Sequence, residues 1–522
     1  MPHARNTDVL IIGAGPVGLT VAIELARRGI DCMIVDRRET PRPGTRGCTV
    51  WQRTLEVFGL MGLPVADYLR AGTRYVHRTY HLPGFPPLTH DMTSPISPTP
   101  HPLIIGQQDT ERMLRTHLSG LGVSVERGLT AYSVTQELEG VTVGIRSNSG
   151  EAFSVRAGWV VAAQGPHSSI RDLLGIPWHS KRFPGTQIIQ VDARVEGSLP
   201  GDPSHCHMHL HPAGSLGTAP LPDGRLRIYA GVRDFGLEGD PPIWELEAAV
   251  RTITGADVSL ADGRFNWRVR LHNSVAGTFK AGRCLLAGDS AHTVMPVTAQ
   301  GMNTGIQDAF NLGWKLAAVV GGAPESILDT YALEREPVAW GLAARTARSY
   351  WGGEGPTPSW DSLYSRLQNI GAAHTGLPLA YPDSPLSVSG DGERFPDAPV
   401  HLGDRPTTVY RLLASGDWTL LAFPQEPDDE SHAESAAKQL AVVQRFGQVR
   451  ARVVHQLGRV GPMDLYDLDG ALRRSAGAQD GGLRLIRPDG YVALRTSDVR
   501  GRHVERYLNR VFGSRAWDPI GR

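Results

Sequence analysis

Residues 9–36 constrain the fold of this chain more than any other stretch. Val9-Leu-Ile-Ile12 is a short continuous apolar run, the pattern of a strand buried on both faces of a parallel sheet. Gly13-Ala-Gly15-Pro16-Val-Gly18 follows it, a helix is expected over Leu19–Arg28, and Cys32-Met-Ile-Val35 reads as a second strand ending at Asp36. Gly13 permits the tight turn, Gly15 lets the backbone approach a pyrophosphate, and Gly18 lets helix and strand pack closely. The helix N-terminus offers free N–H groups and the positive end of its dipole to that phosphate. Asp36, followed by Arg37, stands eighteen residues after Gly18, near the roughly 20 expected of a carboxylate that accepts from a ribose hydroxyl. The chain thus opens with a dinucleotide-binding βαβ unit. Its residues alone do not separate NAD from FAD.

A second glycine-bearing region lies far downstream. Cys284-Leu-Leu-Ala287 reads as a buried strand leading into Gly288-Asp289, and a helix is expected over Gly305–Val320 with Ile306, Ala309, Leu312, Leu316 and Val320 on one stripe. The intervening loop mixes small residues with Pro296 and Gly301, a backbone able to pass close to a flat ring and present N–H groups to it. Length allows several cores, and equal totals of 53 basic and 53 acidic residues give no sign of nucleic acid or an anionic membrane as partner. Cys32, Cys48, Cys206 and Cys284 show no paired spacing, so neither a disulfide framework nor a zinc site is expected and a reducing cytoplasm is the default. The apolar stretch within Met1–Leu19 is broken by glycines and runs into the βαβ helix, so it is not read as a signal peptide. No apolar run is long enough to predict a membrane span.

Taken together, these motifs resemble the class A, single-component flavoprotein monooxygenases with the para-hydroxybenzoate hydroxylase fold. They most resemble the phenol and aromatic-polyketide hydroxylases that carry a C-terminal thioredoxin-like domain. The resemblance rests on Gly13/Gly15/Gly18 with Asp36, Arg46 with Arg53-Thr-Leu-Glu56, Gln107 with Thr110-Glu111, and Pro220-Leu-Pro-Asp-Gly224. It continues through Gly288-Asp-Ser-Ala-His292, Gln300-Gly-Met-Asn303, Gly305-Ile-Gln-Asp-Ala309, Asn311-Leu-Gly-Trp-Lys-Leu316 and Arg487-Pro-Asp-Gly-Tyr491. It implies FAD, with Gly13, Gly15, Pro16, Gly18, Asp36 and Arg37 at the adenosine end, and Arg46 and Gln107 also in contact. Asp289 would meet the ribityl or pyrophosphate region, and Gly301, Met302 and Asn303 would offer backbone groups to the pyrimidine end of the flavin. Donors there stabilise negative charge on the reduced ring.

Two stretches depart from the family pattern. Gln164 in Val160-Val-Ala-Ala-Gln164-Gly165 stands where the family has an acid; glutamine can bond but cannot act as a carboxylate. Thr298-Ala299 replaces a pair of glycines beside the flavin, and whether those Cβ atoms strain the loop depends on its backbone angles.

Between the nucleotide motifs the period changes to two. Ile189, Val191, Ala193 and Val195 alternate with polar residues, as do Phe265, Trp267, Val269 and Leu271, so an antiparallel sheet is expected to roof the site. His205, His207, His209 and His211 share one strand face. They read either as a polar face of the sheet or as a pocket base able to deprotonate a phenol; with no matching Cys or acid cluster, a closed metal site is not expected. Candidate catalytic positions are His207, His209, Trp267 and Pro296, none of them forced by the sequence.

The expected fold is α/β: a Rossmann-type FAD-binding domain with an inserted antiparallel-sheet substrate domain and a C-terminal thioredoxin-like domain. Expected limits are 1–180 and 272–350 for the first, with 78–103 reaching the substrate region, and 181–271 for the second. Residues 351–395 are expected to be a linker or helical segment, with the Pro-, Ser- and Gly-rich part over Leu377–Asp397 as linker, and 396–522 the third, which has no cysteine and so no thiol chemistry. The helix expected over Asp329–Tyr350 would carry Glu334 and Arg335 on its polar side. The resemblance implies an NAD(P)H-consuming enzyme, a monomer or homodimer, that hydroxylates an aromatic or polycyclic phenol through a flavin C4a-hydroperoxide. Baeyer–Villiger insertion, epoxidation, and a non-oxygenating oxidase or dehydrogenase remain alternatives, as does NADPH against NADH.

Overall fold

The structure is a computed structural model describing residues 4–42, 44, 47–348, 359–369, 375–388, 391–425, 443, 446, 448–456, 465–497 and 502–513. Its described residues form three large sheets. The first is centred on parallel strands ordered Cys284–Leu286, Ala152–Ala162, Ala4–Ile12, Cys32–Asp36, Val125–Arg127. Val9, Leu10, Ile11 and Ile12 are all buried, as a strand covered on both faces requires. The hairpin Leu129–Glu137/Gly140–Ser147 attaches to Ala152–Ala162.

Two helices start at the carboxyl ends of these strands. The first spans Pro16–Ala26, beginning earlier than expected because Pro16 sits in its first turn, where a missing N–H costs nothing. The other spans Gly301–Val320, four residues longer at its start than the apolar stripe suggested. The two helices pack on each other. Gly13 adopts φ +108°, and a Cβ at Gly18 would lie 1.9 Å from the Gly13 carbonyl oxygen. The turn and the close approach both need glycine.

The second sheet has eight strands, ordered His292–Thr293, Ser259–Ala276, Trp178–Glu196, Leu226–Arg233, Gly214–Pro220, Cys206–His211, His77–His81, Leu88–Asp91. It is antiparallel except where Cys206–His211 pairs parallel with His77–His81. Trp178–Glu196 and Ser259–Ala276 run unbroken past residues 180 and 272, and they pair with each other within this one sheet from end to end. This sheet has its own apolar core under helix Ile243–Thr254.

The third sheet is ordered Arg405–Thr408, Pro399–Leu402, Leu465–Tyr466, Val449–His455, Trp418–Phe423, Gly482–Ile486, Val492–Thr496, with helix Arg502–Phe512 against it. Where described, the segment expected as a linker is packed: Leu377, Tyr381, Leu386 and Phe395 are buried. Its turn residues satisfy a tight path over the first domain rather than a free tether. Glu334 and Arg335, expected on a polar face of the helix Ser326–Arg348, are instead buried in ion pairs. No helix among the described residues is long and apolar enough to cross a membrane.

Candidate active site

One cavity of about 740 Å³ runs from the first sheet to the underside of the second. At one end it meets Gly13, Gly15, Pro16, Asp36 and Arg37; in the middle Gln107, Gln164, Asp289, Pro296, Gly301 and Met302; at the far end Tyr75, Arg78, Gln190, Tyr229 and Trp267. Gly18 and Asn303 stand behind this lining, and Arg46 lies outside the described residues.

The nucleotide end is built by the backbone. Asp36 accepts from the N–H of Ala14 at 2.8 Å and of Arg38 at 2.9 Å, which fixes its carboxylate beside the glycine turn. A Cβ on Gly15 would meet no protein atom within 4 Å. That gap leaves room for a pyrophosphate. Neither Gly15 nor Gln300 caps its helix with a side chain. Two positive helix ends therefore open into one elongated cavity, and the residues present fit a dinucleotide with a flat ring at its far end. Gln107 accepts from Gly47 N–H and donates to Glu111 at 2.9 Å. Burial pushes the Glu111 carboxyl up, against the opposing pull of Gln107.

The loop leading into helix Gly301–Val320 is held from behind. Asn303 accepts from Trp51 N–H and donates to the carbonyls of Thr49 and Ala299, all at 2.9 Å. Its side chain is thus a brace, while Gly301 and Met302 face the cavity. Asp308 ties the loop to its surroundings, bonding Gly288 N–H, His292 at 2.6 Å and Arg335 at 2.6 Å. Burial opposes the Asp308 anion, yet Arg335 and His292 hold its carboxyl below the usual range.

Both departures from the family pattern have geometry. Gln164 accepts from Ser168 Oγ–H and Ile170 N–H and donates to Ser169 Oγ, so its amide caps the helix Ser169–Leu173. Ala299 has φ 53°, ψ 36°, a left-handed backbone where a Cβ costs about 1–2 kcal/mol.

The far end carries charge that the sequence did not single out. Arg227 is paired with Asp192, whereas the electrostatic neighbours of Arg78 are Tyr75, Tyr80, Tyr229 and Cys206. Burial works against the Arg78 cation, but the three tyrosines and Cys206 outweigh it, leaving its pKa raised. Burial also pushes Tyr229 up to about 12 despite Arg78. Of the candidate catalytic residues, Trp267 and Pro296 line the cavity; His207 and His209 do not. They lie on the sheet face turned away from it, because the alternate residue Cys206 takes the inward position. A period of two gives a shared face but not which face is inward.

This architecture, a βαβ nucleotide cradle continuous with a sheet-roofed aromatic pocket, defines a flavin-dependent enzyme acting on a small molecule. Residues 6–346 match the FAD binding domain family and residues 389–515 the aromatic-ring hydroxylase C-terminal family. The chain belongs to the FAD-dependent aromatic-ring hydroxylases, and it is a monooxygenase. It is 35% identical to 6-methylpretetramide 4-monooxygenase of Streptomyces rimosus, over 95% of this chain and 91% of that one. Among solved structures it is similar to the OxyS anhydrotetracycline hydroxylase from Streptomyces rimosus, with TM-score 0.77, 26% identity, and coverage of 98% of this chain and 100% of that one. It is also similar to aklavinone-11 hydroxylase in complex with FAD and aklavinone, with TM-score 0.75, 25% identity, and coverage of 97% and 99%.

Proposed function

We propose that this enzyme hydroxylates a flat, polycyclic phenol and that Arg78 selects the substrate's ionised hydroxyl. The observation that carries this reading is a guanidinium lining the cavity with tyrosines, rather than a carboxylate, as its electrostatic neighbours. A cation in that position favours a phenolate, and a phenolate ring is richer in electrons than a phenol ring. Tyr75, Trp267 and Val269 give the same end the apolar faces a fused ring system stacks on. The names of the relatives, a 6-methylpretetramide 4-monooxygenase, an anhydrotetracycline hydroxylase and an aklavinone-11 hydroxylase, support a polyketide-like substrate.

Gly13, Gly15, Pro16, Asp36, Arg37, Gln107, Asp289, Gly301 and Met302 would hold FAD along the cavity. Bound FAD, reduced by NAD(P)H, supplies the activated oxygen. The chain's own part is to orient the substrate ring under Trp267, exclude water with the sheet roof, and hold the phenolic oxygen as an anion at Arg78. The four unpaired cysteines fit a reducing cytoplasm.

The test is turnover of phenolic polyketides under 18O2 with NADPH or NADH. Incorporation of one labelled atom is expected, and product without label would establish an oxidase or dehydrogenase instead. Arg78→Met should raise KM for the phenol about tenfold or more and move the pH at which turnover rises toward the free phenol's pKa, with FAD content unchanged. An unaltered pH profile would remove Arg78 from this role.

A further inference from the structure

We propose that His81, His207 and His209 form a binding site for a zinc-class divalent ion on the outer face of the substrate sheet, opposite the cavity. The site is assembled from two separate stretches of chain. Strand His77–His81 pairs in parallel with Cys206–His211, His81 opposite His209 and Thr79 opposite His207. One nitrogen from each of the three imidazoles lies within 4.8 Å of the other two, in the one such His/Cys/Asp/Glu group among the described residues.

Hydrogen bonding orients part of the cluster. His207 Nε2 is 2.7 Å from the Asp202 carbonyl oxygen, and only an N–H can donate to a carbonyl. That bond fixes the tautomer and leaves the Nδ1 lone pair facing His81 Nε2, 3.0 Å away. A backbone carbonyl behind a coordinating imidazole is the usual outer partner at a metal. His209 is 6% exposed and stacks on His81 at 4.1 Å.

Three imidazole nitrogens and no carboxylate suit Zn²⁺ better than Mg²⁺ or Ca²⁺. Zinc bound to three histidines keeps a fourth position for water. The neighbours Arg78 and Cys206, paired with each other in the same two strands, line the cavity on the other face. An ion here would therefore clamp the two strands that place Arg78.

The test uses the FAD-loaded full chain, stripped with a chelator, dialysed and titrated with ZnCl2 by calorimetry. One equivalent is expected, with a rise in Tm as zinc is added and a zinc absorption edge showing nitrogen neighbours at about 2.0–2.1 Å. His209→Gln and His81→Gln should each weaken binding by about 10–100-fold or more, and His211→Gln, further along the strand, should not. His81 is only half-buried, so His81→Gln is the variant expected to keep its flavin spectrum and circular dichroism. The proposal is overturned if the folded wild type shows no saturable zinc binding, or if folded His81→Gln binds zinc as tightly as wild type.

Discussion

The glycines of the nucleotide turn are not equivalent, and the difference separates folding from cofactor binding. A methyl group at Gly18 would collide with backbone, whereas one at Gly15 would project into empty cavity. Gly15→Ala should therefore fold, with circular dichroism and Tm near wild type, yet purify with little absorbance at the flavin band. Gly18→Ala should lose both. Equal FAD content in Gly15→Ala and wild type would mean the pyrophosphate lies elsewhere. Ala299 makes the opposite case, a side chain where glycine would rest more easily. Ala299→Val should cost about 1–2 kcal/mol in denaturant unfolding, since a β-branched residue tolerates a left-handed backbone worse still. Ala299→Gly should be neutral to stabilising by about 1 kcal/mol, because the roughly 1–2 kcal/mol of strain relieved exceeds about 0.4–1 kcal/mol of added unfolded-chain entropy. The sequence exposed Ala299 and Gln164 as departures from a pattern. It did not contain their angles or partners, which are set by the loops around them. His81 was invisible for a related reason: it lies 126 residues from His207 and becomes its neighbour only through strand pairing.

At the scale of elements, several of the motif stretches turn out to join elements rather than touch the cavity. Glu334, on the long helix Ser326–Arg348, bonds Arg487 at 2.6 and 2.9 Å and Lys315 at 2.7 Å. Arg487 also pairs with Asp489, whose carbonyl accepts from Arg53, and Arg53 pairs with Glu56. Thus Arg53–Glu56, Asn311–Leu316 and Arg487–Tyr491, legible as motifs, owe their pattern to one buried charge network. Burial pushes the Glu334 carboxyl up, but Arg487 and Lys315 pull it down further, well below the usual range. A carboxylate whose folded pKa lies below its unfolded value of 4.5 stabilises the fold fully above that pH and progressively less as pH falls toward the folded value. Glu334→Gln should cost about 3–5 kcal/mol at neutral pH, because it leaves Arg487 and Lys315 short of a counter-charge. The gap between variant and wild type should close as unfolding is measured at successively lower pH below about 4.5. A gap that stayed constant with pH would show that Glu334 acts by packing alone.

The whole molecule is divided differently by its cores than by its sheets. Fold class was legible, since a continuous apolar strand, a glycine turn and later alternating strands each announce their own geometry. What periodicity could not reveal is which sheets share a core. Strand residues of the first sheet, Val9 and Leu10 among them, and residues of the third, Trp418, Leu420 and Leu485, belong to one continuous buried cluster. Trp314 meets Trp418 edge-on at 5.6 Å across that junction and donates to Asp489 at 3.0 Å. The second sheet, by contrast, closes over its own cluster under helix Ile243–Thr254. Residues sharing a core unfold together, so the C-terminal sheet is part of the FAD domain's stability rather than an appendage. A chain ending at residue 395 would expose Trp314 and strand Glu334 with Lys315 but without Arg487. It should be insoluble or molten, lacking near-ultraviolet circular dichroism and bound flavin. In the intact enzyme, loss of flavin and unfolding of the third sheet, followed by tryptophan fluorescence from Trp314 and Trp418, should coincide in one denaturant transition. A soluble yellow protein from the truncated chain, or two separated transitions in the intact one, would show that the junction is only a contact between independent domains.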